Sequence, residues 1–262
     1  MRDSSGTKLL ILAIGLFSLI SCRKSDSITI NALPQEIGSE LYFRGFVTDE
    51  EEQLVSEIHN FSKKVTRRDT VDGKPVFVYT VGSGNAADRT KESYFYTDED
   101  GTVWEHNTTD VGAQLVAYGF SYRNPILLPA WQTLLKVDEG EGTEWQIDID
   151  TTYSAITLSG ETQTVRYVKH GRARYEGWSE TFLPEPYKYI PALDVYWYEL
   201  RTTIINETTS DTLFATEGIA HQYFTPELGA VKYVTNFTLY EQGKEAVARR
   251  GTWELMRKEL SE

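Results

Sequence analysis

The chain has 262 residues, 40% hydrophobic and 13% aromatic, with 39 acidic against 26 basic side chains and a formal charge of −13. That balance argues against a nucleic-acid partner, because a phosphate backbone rewards clustered Lys and Arg. One cysteine, Cys22, leaves no internal disulfide, so the fold must rest on its apolar core and its many aromatics.

The first element is a targeting segment. Met1, Arg2 and Lys8 precede residues 9–20, which hold only apolar, Gly and Ser side chains. This is the layout of a signal peptide. A helix of that length rises only about 18 Å, short of a bilayer core, so a permanent membrane span is not expected. Directly after the run, Leu19-Ile20-Ser21-Cys22 resembles the bacterial lipobox. In that motif the cysteine sulfur is acylated and the residue becomes the new N-terminus. The resemblance implies a signal peptide over 1–21, acylation of Cys22 with palmitate among the expected acyl groups, and the membrane as a partner through that anchor. Several acyl chains hold stably where one holds only marginally. Acidic residues just after the cysteine tend to retain such lipoproteins at the inner membrane. Arg23 is not acidic, which points to the outer membrane; whether the body faces the periplasm or the outside stays open.

Residues 22–40, rich in Ser and Asp, read as a lipid-anchored tether, and 41–262 as one antiparallel β domain. Residues 48–61 allow a helix capped by Thr48 or Asp49, but 54–68 read better as extended chain returning through Asp72-Gly73. Period-two alternation then predicts strands at 75–82, 92–97, 102–107, 113–120, 145–149, 154–159, 163–170, 172–178, 193–206, 212–224, 231–239 and 249–258. Turns are expected at Asp72-Gly73, Asp100-Gly101, Ser159-Gly160, His170-Gly171, Gln242-Gly243 and Arg250-Gly251. A short helix is expected at 127–135, after a Pro-bounded loop at 123–129. In 193–200, Leu193, Val195 and Trp197 alternate with Tyr196, Tyr198 and Leu200, so both faces need partners. The fold class that follows is mostly β: a single strongly curved antiparallel sheet forming an open or closed barrel, with one or two short helices.

Two C-terminal stretches, Glu185-Pro186-Tyr187-Lys188-Tyr189-Ile190-Pro191-Ala192-Leu193-Asp194-Val195 and Tyr223-Phe224-Thr225-Pro226-Glu227-Leu228-Gly229-Ala230-Val231-Lys232, resemble turn motifs of poorly characterised bacterial exported β proteins. The first lacks the family's Gly, and the second has Tyr-Phe where the family has Trp. This resemblance implies a half-barrel similar to that of lipoprotein-localisation factors, with Pro226 and Gly229 shaping a turn and no catalytic residue assigned.

Chemistry is sparse. His221 lies on an apolar strand with Glu217, Ile219 and Tyr223 on its side, but Glu217 is about 13 Å away at ~3.3 Å per residue. His170 reads as a turn residue, and His59 and His106 as strand ends. Val81-Gly82-Ser83-Gly84-Asn85 lacks the spacing of a nucleophile elbow, and the Gly-rich run lacks the helix a dinucleotide fold requires. The acidic runs at 98–101 and 138–142 complete no calcium loop. No catalytic residue, metal ligand or cofactor is therefore assigned. The reading is an envelope lipoprotein binding an apolar ligand or a partner protein, with Tyr196, Trp197, Tyr198, Tyr223 and Phe224 as candidate ligand contacts. The alternatives are a structural or adhesive surface lipoprotein and, behind it, an envelope or carbohydrate hydrolase.

Overall fold

The computed structural model describes residues 34–83, 91–106, 111–121, 131–137, 139–185 and 188–261. Cys22, most of the tether, the 123–129 loop and Pro186-Tyr187 of the first C-terminal motif lie outside the described residues.

Thirteen strands form one antiparallel sheet. In chain order they are β1 (Glu40–Thr48), β2 (His59–Val71), β3 (Lys74–Ser83), β4 (Lys91–Thr97), β5 (Val103–His106), β6 (Phe120–Ser121), β7 (Trp131–Leu135), β8 (Glu144–Thr157), β9 (Thr162–Leu183), β10 (Lys188–Asn206), β11 (Asp211–Thr225), β12 (Gly229–Glu241) and β13 (Val247–Glu259). The spatial order is β6-β8-β9-β10-β11-β12-β13-β1-β2-β3-β4-β5-β7. Two meanders are thus joined where β1 pairs with β13, from Glu40 opposite Glu259 to Thr48 opposite Arg250. β6 and β7 are the edges, and no ladder joins them, so the curved sheet is open.

Alternation does most of the folding. In β9, Val165, Tyr167, Ala173 and Tyr175 point to the concave side and are buried, and Leu193, Val195 and Trp197 of β10 and Ala220 and Phe224 of β11 join them. The Val, Leu and Phe side chains among them gain roughly 1.5–3 kcal/mol each on full burial. The turns behave as glycine chemistry requires at Asp72-Gly73, where φ of 51° and 76° suits a two-residue hairpin.

Four expectations fail, each for a local reason. His170-Gly171 is not a turn: β9 runs through it as one 22-residue strand. Gly171 faces inward, where an added Cβ would meet Leu200 Cδ1 at 3.0 Å, so this glycine marks close approach across the curl. Arg250-Gly251 likewise lies inside β13. The stretch expected as a strand at 113–120 forms a helical turn, α1 (Val111–Leu115), followed by a 3-10 turn over Val116–Tyr118, with only Phe120 reaching a strand. Val111 and Leu115 are both buried, a spacing of four that belongs to a helix. Conversely, Trp131–Leu135 of the expected 127–135 helix is strand β7, paired with β5. The helix alternative for 48–61 does not form either; Thr48 bridges to Leu54 and β2 starts at His59.

Curvature has visible causes. Between Trp197 and Leu200 the β10 register gains one residue against β11, and Glu199 adopts a φ of 53°. This bulge turns Leu200 to the concave side, away from the convex face that strict alternation gave it beside Tyr196 and Tyr198.

Candidate functional site

Because the sheet curls without closing, the β5–β7 edge comes to face β8 and β9 across a seam bridged by side chains. Gln132 of β7 donates to Glu105 Oε2 of β5 at 3.1 Å, and Lys169 of β9 donates to Gln132 Oε1 at 3.4 Å. Behind this relay lies a cavity of about 410 Å³ lined by residues of β5 and β7–β12. Its apolar wall is Ile147, Trp197, Leu200, Tyr233 and Phe237, and its polar wall includes Glu105, Gln132, Lys169 and Gln222. The size falls within the roughly 300–1,000 Å³ of small-molecule sites, and the apolar wall with a few convergent polar groups is their usual composition.

The aromatic wall is braced from behind. Trp197 meets Trp145 edge-on at 6.0 Å and donates to Gln222 Oε1 at 3.3 Å. Trp145 Nε1 is buried with no acceptor among the described residues. Tyr233 stacks on Trp253 at 5.8 Å, and Trp253 in turn carries the Lys63 ammonium over its ring at 5.2 Å. Lys63 also lies 5.5 Å from the Phe43 ring centre.

Lys63 and Lys169 are the unexpected members. Each occupies a concave position between apolar neighbours: Phe61 and Val65 flank Lys63 at i±2, while Tyr167 and Gly171 flank Lys169. Their surfaces are only half-buried because they face open space inside the curl. Protein nevertheless surrounds both ammonium groups closely, and lost hydration pushes their pKa values down, with Glu105 opposing the shift in each case. Sequence reading missed both. The available signal was a lysine standing at the apolar parity of a strand, in Val165-x-Tyr167-x-Lys169 and Phe61-x-Lys63-x-Val65.

The five expected contact residues divide between the two faces. Trp197 lines the cavity and Phe224 is fully buried in the core, whereas Tyr196, Tyr198 and Tyr223 lie on the convex side. There they form a ladder with His221: Tyr198 to Tyr196 at 6.0 Å, Tyr196 to His221 at 4.9 Å and His221 to Tyr223 at 6.2 Å. Two of these contacts are stacked and the Tyr196–His221 pair is tilted, so the inner ring faces of the ladder already have ring neighbours. Asp194 accepts from His221 Nδ1 at 2.9 Å, and this hydrogen bond raises the imidazole pKa against the opposing effect of burial. His170 pairs with Asp148 on the same convex side. Glu217 is not a partner of His221; it pairs with Arg201 at 2.8 Å.

No family model and no curated protein matches this chain. Two solved structures are similar to it. One, from Parabacteroides distasonis, is described as a candidate lipoprotein; it is 10% identical with a TM-score of 0.49, over 87% of this chain and 97% of that one. The other, from Bacteroides fragilis, is described as a candidate exported protein with a YmcC-like fold; it is 9% identical with a TM-score of 0.40, over 87% and 98%. At that distance neither transfers a property, and function rests on this chain's own residues.

Proposed function

We propose that this chain is a cell-envelope lipoprotein, anchored through acylated Cys22 at the outer membrane, whose curved sheet holds a small amphiphilic ligand on its concave side. The observation that carries the reading is the 410 Å³ cavity at the seam, where an aromatic and aliphatic wall faces the Glu105–Gln132–Lys169 relay. Its support for the anchor is the lipobox alone: one cysteine in the chain, placed directly after the apolar run. An adhesive role for the convex tyrosines is less favoured, because their rings already have one another and His221 as neighbours.

Mass spectrometry of the full-length protein extracted from its native membrane tests both parts. The expected result is an N-terminal peptide beginning at a Cys22 that carries acyl mass, together with a small molecule released stoichiometrically on denaturation. In a Cys22→Ser variant the acyl mass and the membrane association should both be lost. An unmodified Cys22 in the wild type would sink the anchor. A protein that releases no small molecule, and binds none added, would sink the cavity reading.

A further inference from the structure

Two groups of buried charge in the sheet are treated differently. The buried carboxylate of Glu254 is paired by Arg44 at 2.7 Å and by Lys232 at 3.1 Å, and Lys232 also donates to the Phe182 carbonyl of β9 at 3.0 Å. On the concave side, Lys63 and Lys169 share the field of a single acid, Glu105. Among the described residues neither lysine has a carboxylate within 4.0 Å. Lys63 is partly compensated by the two rings beneath it. Among the described residues Lys169 has one long hydrogen bond, to a neutral amide, and its ammonium has three protons to donate. A cation withdrawn from water without a counter-charge costs free energy, so an anion entering beside it is favoured well beyond its value in open solvent.

We infer that the cavity is built for a monoanionic amphiphile, a long-chain carboxylate, whose carboxylate pairs with Lys169 Nζ beside Gln132 while its alkyl chain lies along Trp197, Leu200, Tyr233 and Phe237. This rests on the cavity reading above and adds the charge of the ligand and the side chain that recognises it. The count of charges sets the class. Among the described residues the cavity is lined by one cation, Lys169, and one acid, Glu105, while Lys63 stands outside it over Trp253. A single carboxylate takes the Lys169 ammonium and leaves Glu105 to Gln132. A dianionic phosphate monoester would bring a second charge with no cation to meet it and would feel the repulsion of Glu105, which lines the same cavity. Geometry agrees: the charged relay stands at the seam, where a headgroup can keep contact with water, and the apolar wall lies deeper in the curl across β10 and β12.

Native mass spectrometry of the full chain released from detergent, with palmitate, hexadecanol and hexadecyl phosphate as probes, decides the matter. One palmitate should bind per chain, at least tenfold more tightly than hexadecanol and more tightly than hexadecyl phosphate. Lys169→Met should reduce the preference for the acid over the alcohol to less than twofold, and Lys169→Arg should keep it. Circular dichroism and the thermal midpoint of each variant establish that it is folded. Equal binding of palmitate and hexadecanol by the wild type overturns the headgroup assignment and leaves the cavity reading intact. A preference that survives Lys169→Met overturns the role of Lys169. Tighter binding of hexadecyl phosphate overturns the monoanion. Binding of none of the three overturns the cavity reading itself.

Discussion

Phe224 and Tyr223 are neighbours in β11, and they belong to different environments. Phe224 is completely buried in the concave core, while Tyr223 closes the convex ladder against His221. The same division runs along β10, between Trp197 and its neighbours Tyr196 and Tyr198. One face is filled by packing and keeps one charged cavity; the other is a surface of stacked rings and closed ion pairs. The lesson is that aromatic abundance does not by itself locate a binding site. What separates the two faces is whether ring faces and charges still lack partners.

The largest test of that division is a pair of truncations. Phe224→Ala should cost about 3–5 kcal/mol of unfolding free energy, as deletion of a buried aromatic does, and Tyr223→Ala, half-buried against the edge of the same core, clearly less. Urea denaturation midpoints measure both, and similar losses would break the contrast. Next comes Gly218→Ala, on the concave side of β11. Its new Cβ would collide with the Asn236 carbonyl and lie 2.7 Å from Phe237 Cα, both backbone atoms that cannot swing aside. A loss of about 1–3 kcal/mol is expected from overpacking, read from the same midpoints. A neutral outcome would mean that the β11–β12 approach is looser than the curl requires.

Smaller effects concern protons. On the convex side, Asp194→Asn should lower the raised His221 pKa towards its ordinary value, followed by the imidazole resonances in an NMR titration. The sign for stability follows from linkage. The folded protein holds this proton more tightly than the unfolded chain, so the Asp194 contribution is complete below about pH 6.5 and is lost as pH rises through the folded pKa. Wild type should therefore lose its advantage over Asp194→Asn across that window. On the concave side the sign reverses. Lys169 has a lowered folded pKa, so the unfolded chain binds more protons in the window that ends near pH 10.4. The stability of the wild type relative to Lys169→Met should rise as pH climbs towards that value. A flat difference would place the ammonium in water.

Much of the fold was legible in the residues. Hairpins at Asp72-Gly73, Ser159-Gly160 and Gln242-Gly243 form as their turn chemistry predicts; β3, β12 and β13 fall where alternation put them, while β8 and β9 each merge two expected strands into one. His170-Gly171 and Arg250-Gly251 misled because a glycine beside a polar residue reads equally as a turn or as a close approach, and only the neighbouring strand distinguishes them. The site was less legible. Trp197, named from the sequence as a candidate contact, lines the cavity, whereas Lys63, Lys169, Glu105 and Gln132 were not singled out, since nothing along the chain announces that β5, β7 and β9 will meet across a seam.

Sequence alone determined the period of the strands, the sign of φ at the hairpin turns, and the singular place of Cys22 after the apolar run. These are local properties, set by sterics and side-chain alternation over a few residues. Tertiary structure decided which face is concave, where the bulge at Glu199 redirects Leu200, and how two edges that share no ladder confront one another around Lys169. Those outcomes depend on the register of thirteen strands and on pairings as distant as Glu40 with Glu259. A shift of one residue anywhere in that ladder would send the interior side chains to the surface, so no short stretch of the chain can specify them.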